Sequence, residues 1–116
     1  MAITAKKEFD NRLAVLHDAI DTLRAELLNF KKATTRSAAL VDQGMDVVHA
    51  LACIKGPKLR SDLAEALDGF EEHRHRMRIA ILALGQEQGA SLSEVGRQLG
   101  ISRQLAARLA AEENAG

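Results

Sequence analysis

One proline, one cysteine, three phenylalanines and no tryptophan or tyrosine occur in 116 residues. The lone Cys53 has no partner for an internal disulfide, so no disulfide framework holds the fold, and the chain suits a reducing compartment. No apolar run approaches the roughly 20 residues of a membrane helix. Between Met1 and Asp10, the residues Lys6, Lys7, Glu8 and Asp10 interrupt any apolar signal-peptide core. The expected location is therefore the cytoplasm, with no membrane partner. Net charge is also lacking, since 16 Lys and Arg balance 16 Asp and Glu. Nucleic-acid binders usually carry a basic excess, and the chain as a whole carries none. The length leaves room for one compact domain, or a small module with an extension, and none for a two-domain catalytic architecture.

What is present is helix-forming. Twenty Ala and 16 Leu stand against 15 Val, Ile and Thr together. Ala and Leu favour helices and β-branched residues favour strands, so an all-α fold is expected. Charged residues at 28% and apolar ones at 47% fit a globular chain rather than a disordered one.

Apolar side chains recur at Phe9, Leu13, Leu16, Ile20, Leu23, Leu27 and Phe30. The alternating spacing of four and three residues is a heptad seam and predicts a helix over about 4–33. The seam fits a homodimeric coiled coil or an intramolecular bundle. Thr34, Thr35 and Ser37 read as a break with N-cap candidates. A second helix is expected over about 38–55. Its two neighbouring apolar stripes, Leu40, Val47, Leu51, Ile54 and Val41, Met45, Val48, Ala52, suggest burial on two sides. Gly56 fits a C-cap and Pro57 the first turn of the next helix. From Pro57 to about Gln88 the stripe Leu59, Leu63, Leu67, Phe70, Met77, Ile81, Leu84 continues, as one helix or as two broken near Gly69.

The last third, GASLSEVGRQLGISRQLAARLAA from Gly89 to Ala111, is the most informative. Ser91 and Glu94 form a capping-box pattern that starts a helix at Leu92. Gly100 ends it with a tight turn, Ile101 plugs that turn, and Ser102 caps a second helix from Arg103 to about Glu113. Ala106 and Leu109 face inward, and Gly96 is small where the two helices cross. That leaves Ser102, Arg103, Gln104, Ala107, Arg108 and Ala111 facing outward.

These residues resemble the helix-turn-helix of bacterial transcriptional regulators and of the DNA-binding tails of serine recombinases. The matching positions are Val95, Gly96, Leu99, Gly100, Ile101, Ser102, Ala106 and Leu109, within 78–113. The likeness to the recombinases is to their tail alone, and no β-wing is expected. The resemblance implies a tri-helical unit whose last helix enters the major groove of double-stranded DNA. Arg103, Gln104, Ala107 and Arg108 would then read base edges: Arg suits guanine, Gln suits adenine, and Ala can pack on a thymine methyl. Ser91, Ser93, Arg97, Gln98 and Ser102 are placed for phosphate contacts. The implied architecture has long N-terminal helices over 1–70 for dimerisation, then a helix-turn-helix over 71–116.

The charge balance is uneven along the chain. Residues 73–111 hold Arg74, Arg76, Arg78, Arg97, Arg103 and Arg108 against Glu87 and Glu94, an excess of four positive charges. The stretch His73, Arg74, His75, Arg76 reads as solvated or phosphate-facing. Glu112 and Glu113 suit neither the helix dipole nor DNA. His49 and Cys53 share a helix face but are too few for a zinc site, and read as an ordinary His beside a buried Cys. Met45 and Met77 read as core filler. No P-loop, dinucleotide fingerprint or zinc-protease pair occurs. An all-helical mutase would need inward cations, whereas Arg12 and Arg24 only flank the seam. No enzyme activity, cofactor or metal is expected. The alternative to DNA binding is a helical adaptor whose seam takes another protein's helix.

Overall fold

The computed structural model describes residues 4–115, and the side chains of residues 4–112. Among these residues the fold is all-α, with no strand and with a long N-terminal helix, as composition and heptad spacing imply. The helices are α1 (Ala5–Asp42), α2 (Val47–Cys53), α3 (Gly56–Glu87), α4 (Leu92–Leu99) and α5 (Arg103–Ala115). No helix among them is long and apolar enough to cross a membrane. Two compact units are distinguished: residues 4–17 with 71–115, and residues 18–70.

α1 corrects the expected break at Thr34–Ser37. The Thr34 hydroxyl donates to the Phe30 carbonyl and the Thr35 hydroxyl to the Lys31 carbonyl, each at 2.8 Å. Ser37 Oγ donates to the Thr34 carbonyl at 2.8 Å. Hydroxyls able to cap a new helix are satisfied within the existing one instead. The break falls at Gly44, whose φ of +100° an L side chain adopts only with strain. The Gly44 N–H donates to the Val41 carbonyl at 2.9 Å and the Met45 N–H to the Leu40 carbonyl at 3.1 Å, closing the helix end.

α2 is capped by Asp46. One carboxylate oxygen accepts the His49 N–H at 3.0 Å, and the other lies 2.6 Å from His49 Nδ1. These bonds, the backbone one foremost, hold the Asp46 carboxyl below the usual aspartate range. Burial on two sides is not found. α2 buries only Ala50, while Val47, Val48 and Leu51 are 60%, 72% and 47% exposed. Seven residues make two turns, and one small side chain is all that they turn inward. For the same reason Cys53 is exposed rather than buried. The end of α2 also differs from expectation. Lys55, not Gly56, takes the left-handed conformation at φ +53°, and Gly56 opens α3.

α3 is one helix. Gly69 does not break it, since one interior glycine costs only about 1 kcal/mol against a long ladder of hydrogen bonds. The buried side chains of α3 are Ala66, Met77, Ala80 and Leu82, and Leu82 is fully buried. Ile81 and Leu84, the inward residues of the expected stripe, are half-buried at the edge of that face. Met77 is core, as its pattern implied, and Met45 is half-buried.

Candidate functional site

The unit of residues 4–17 and 71–115 has a small core built on the C-terminal part of α3. Leu82, Ala106 and Leu109 are buried at its centre, with Ile79, Leu92, Val95, Leu99, Ile101 and Leu105 packed around them. Three helices thus share one apolar centre, and the local signals that start and stop α4 and start α5 are visible.

Ser91 Oγ accepts the Glu94 N–H at 3.1 Å, and the Glu94 carboxylate accepts the Ser91 N–H at 3.4 Å, completing the capping box of α4. Gly100 ends α4 at φ +72°. The Gly100 N–H donates to the Arg97 carbonyl at 3.2 Å, and the Ile101 N–H to the Gly96 carbonyl at 2.9 Å. Ile101 thereby turns into the core. Ser102 caps α5, its hydroxyl oxygen accepting the Leu105 N–H at 3.1 Å.

Two glycines set how closely the helices approach. A methyl group placed on Gly96 would lie 3.2 Å from the Ala106 Cβ and 3.6 Å from Ile101 Cγ1, so α4 and α5 cross here because both positions are small. A methyl on Gly85 would stand 2.6 Å from Val95 Cγ2. Gly85, which the apolar stripe of α3 does not mark, is the corresponding contact between α3 and α4. Its place one turn after Ile81 and three residues after Leu82 is the signal that locates it on the packed side.

With Ala106 and Leu109 buried, the other face of α5 is open. Ser102, Arg103, Gln104, Ala107, Arg108 and Ala111 are all exposed. On and before α4, Ser91, Arg97 and Gln98 are exposed and Ser93 is half-buried. Of the motif's apolar positions, Gly96, Ala106 and Leu109 are buried, while Val95, Leu99 and Ile101 are half-buried against them. In the proposed seam, Phe9, Leu13, Leu16 and Leu23 are half-buried, and Ile20, Leu27 and Phe30 are exposed.

The local charge differs from the count along the sequence. Arg74 pairs with Glu71 at 2.9 Å and Arg76 with Glu72 at 2.6 Å, and both glutamates lie just outside the basic stretch. The Arg76 hydrogen bond, then its charge, holds the Glu72 carboxyl below the usual glutamate range. His75 Nε2 lies 2.6 Å from the Glu112 carboxylate. The Arg74, His75 and Arg76 side chains are solvent-exposed, in keeping with a solvated stretch, but each has a carboxylate partner, while His73 Nδ1 is buried without a hydrogen bond. These contacts also account for Glu112, which ties the last turns of α5 to α3. The Glu113 side chain lies outside the described residues. The pairs Arg12–Glu8, Arg76–Glu72 and His75–Glu112 line a cavity of about 590 Å³, so its cations are already matched.

The surplus that remains is narrower and better placed. Arg97, Arg103 and Arg108 have no carboxylate partner among the described residues, and the nearby Glu94 is engaged at the cap. Arg78, on α3, likewise has no carboxylate partner among the described residues, so the surplus left after pairing lies on α4 and α5 and at this one position of α3. His49 is exposed and pairs with Asp46. No group of three or more His, Cys, Asp or Glu residues suited to a metal ion occurs among the described residues. No family model, curated protein or solved structure matches this chain.

Proposed function

We propose that the chain binds double-stranded DNA as a homodimer, in the manner of a prokaryotic, phage or plasmid transcriptional regulator, with α4 and α5 as its helix-turn-helix. The observation that carries the reading is the division of α5. Ala106 and Leu109 anchor one face in the core, and Arg103, Gln104 and Arg108 stand on the other without carboxylate partners among the described residues.

In this reading α5 enters the major groove and its outward residues meet base edges. Each arginine offers two donors to a guanine edge, and Gln104 a donor and an acceptor to adenine. Each such contact is worth about 1–3 kcal/mol of discrimination. Ala107 packs on a thymine methyl. The hydroxyl oxygens of Ser91 and Ser102 already accept backbone N–H groups, which leaves each O–H to donate to a phosphate oxygen. Arg97, Gln98 and Ser93 add phosphate contacts that fix register without reading sequence. The N-terminus of α5 adds a partial positive charge beside the backbone. One such module makes few contacts, and two related by a two-fold axis double them over adjacent half-sites. The reading assigns no catalytic residue and no cofactor.

The exposed aliphatic residues of 18–70 favour a second reading, a helical adaptor that binds another protein through α1. A salt-dependent gel shift on random duplex fragments separates the two. Retention of a selectable subset, lost when Arg103 and Arg108 become Ala, supports DNA binding. No shift at low salt supports the adaptor.

A further inference from the structure

The unit of residues 18–70 has almost no core of its own. Its only buried apolar residues are Ala50 and Ala66, while nine large aliphatic or aromatic side chains remain 39–72% exposed. Side chains of that size and number present several hundred Å² of apolar surface. Part of this surface is concave. Val48, Leu51, Pro57, Arg60, Ser61 and Ala64 line an open groove of about 870 Å³ between α2 and α3. Along α3, Leu67 continues the same stripe one turn beyond Ala64 and is 43% exposed.

We propose that a second copy of this chain covers the groove, the two α3 helices packing antiparallel about a two-fold axis at Ala64. Three observations select a second copy as the occupant. First, the symmetry seats the apolar residue in the groove. Pairing about residue 64 brings each Leu67 level with the partner's Ser61, in the middle of the lining. Second, the charges match. The same pairing brings each Arg60 level with the partner's Asp68, both exposed and neither in an ion pair within its own chain. No like-charged residues fall level anywhere from Pro57 to Glu71. Third, small residues lie at the axis, Ala64 with Ser61 beside it, so the two backbones can approach closely. An isologous contact of this kind closes at two copies. The inference deepens the homodimer reading and is tested without DNA, so its failure and the failure of DNA binding are distinguishable.

The test is the mass of the full chain by sedimentation equilibrium. The wild type sediments at twice its 12.6 kDa. Val48→Glu and Leu67→Glu sediment at the mass of one chain, with helical circular dichroism retained, because both side chains are already exposed. Ile20→Lys and Leu27→Lys, on the α1 seam, leave the dimer intact. In a Cys53→Ser background, Ala64→Cys forms a disulfide-linked dimer under mild oxidation, which reads the axis directly and does not depend on a destabilising variant. A wild type that sediments as one chain overturns the proposal. So does a dimer that survives Val48→Glu and Leu67→Glu but dissociates with the α1 substitutions.

Discussion

Gly85 faces Val95 so closely that a single added methyl would sit 2.6 Å from Val95 Cγ2, well inside van der Waals contact. Val95 is β-branched and has one favoured rotamer in a helix, so it has little freedom to turn aside. Gly85→Ala is therefore expected to destabilise. The helix-propensity gain of about 0.5–1 kcal/mol is outweighed by an overpacking cost of about 1–3 kcal/mol. Gly69, in the same helix, has nothing within 4 Å of the same methyl. Gly69→Ala is expected to stabilise by about 0.5–1 kcal/mol. Urea unfolding of both variants measures the contrast, and equal shifts of the same sign would show that α3 and α4 do not meet at Gly85.

Ser91 and Gly100 bracket α4 by different means, so their replacements differ in kind. Ser91→Ala removes the acceptor for the Glu94 N–H and should cost about 0.5–2 kcal/mol. Gly100→Ala meets no neighbour, since nothing lies within 4 Å, but it forces a side chain into φ +72°. It should cost about 1–2 kcal/mol through the backbone alone. Thermal unfolding gives the size of each loss. A Gly100→Asn variant, better tolerated in that conformation, should recover part of the second.

The cap of α2 should respond to acid. The Asp46 carboxyl is held below its ordinary range, first by the His49 N–H and then by the His49 ring. A depressed carboxyl contributes stability above its unfolded-state pKa and loses it as pH falls through the folded value. Protection of the His49 amide from hydrogen exchange should thus be full above about pH 5 and decline below about pH 4. Asp46→Asn keeps an N-cap acceptor without the titrating group, and its profile should be flat over that range. A wild-type profile as flat as that of the variant would remove Asp46 as the cause.

The parts of the fold most legible in the sequence are those where one residue type has one local use. Ser91 with Glu94, Gly100 and Ser102 mark both ends of α4 and the start of α5, and the exposed and buried faces of α5 then follow from helical spacing. Legibility fails where a residue has two uses. Thr34, Thr35 and Ser37 can cap a new helix or bond back into an existing one, and α1 uses the second. Lys55 rather than Gly56 takes the left-handed turn, which the preference for glycine hides. Gly85 is not marked by the apolar stripe, because only its contact with Val95 on the neighbouring helix explains it. The charge count also misled at its margin. Glu71 and Glu72 lie one turn before the arginines they neutralise, and Glu112 reaches His75 across 37 residues of sequence.

Phosphate contact through α4 has its own signature. Arg97 is exposed and has no carboxylate partner among the described residues, and it stands on the helix that carries no proposed base contact. Arg97→Ala should weaken binding to all duplexes by a similar factor and lower the slope of log K against log salt by about 1. Gel shifts at several salt concentrations measure the slope. A change confined to one sequence would instead make Arg97 a base reader.

The central claim is that the exposed face of α5 reads DNA. The most direct measurement is fluorescence anisotropy of the full chain with a duplex selected from random sequence, in parallel with its Arg103→Ala and Arg108→Ala variants. Each variant should bind the selected duplex about 5- to 150-fold more weakly, the equivalent of one lost base contact, and should discriminate less at one position. Wild-type affinity in both variants, or a wild type that binds no duplex at low salt, would contradict the account.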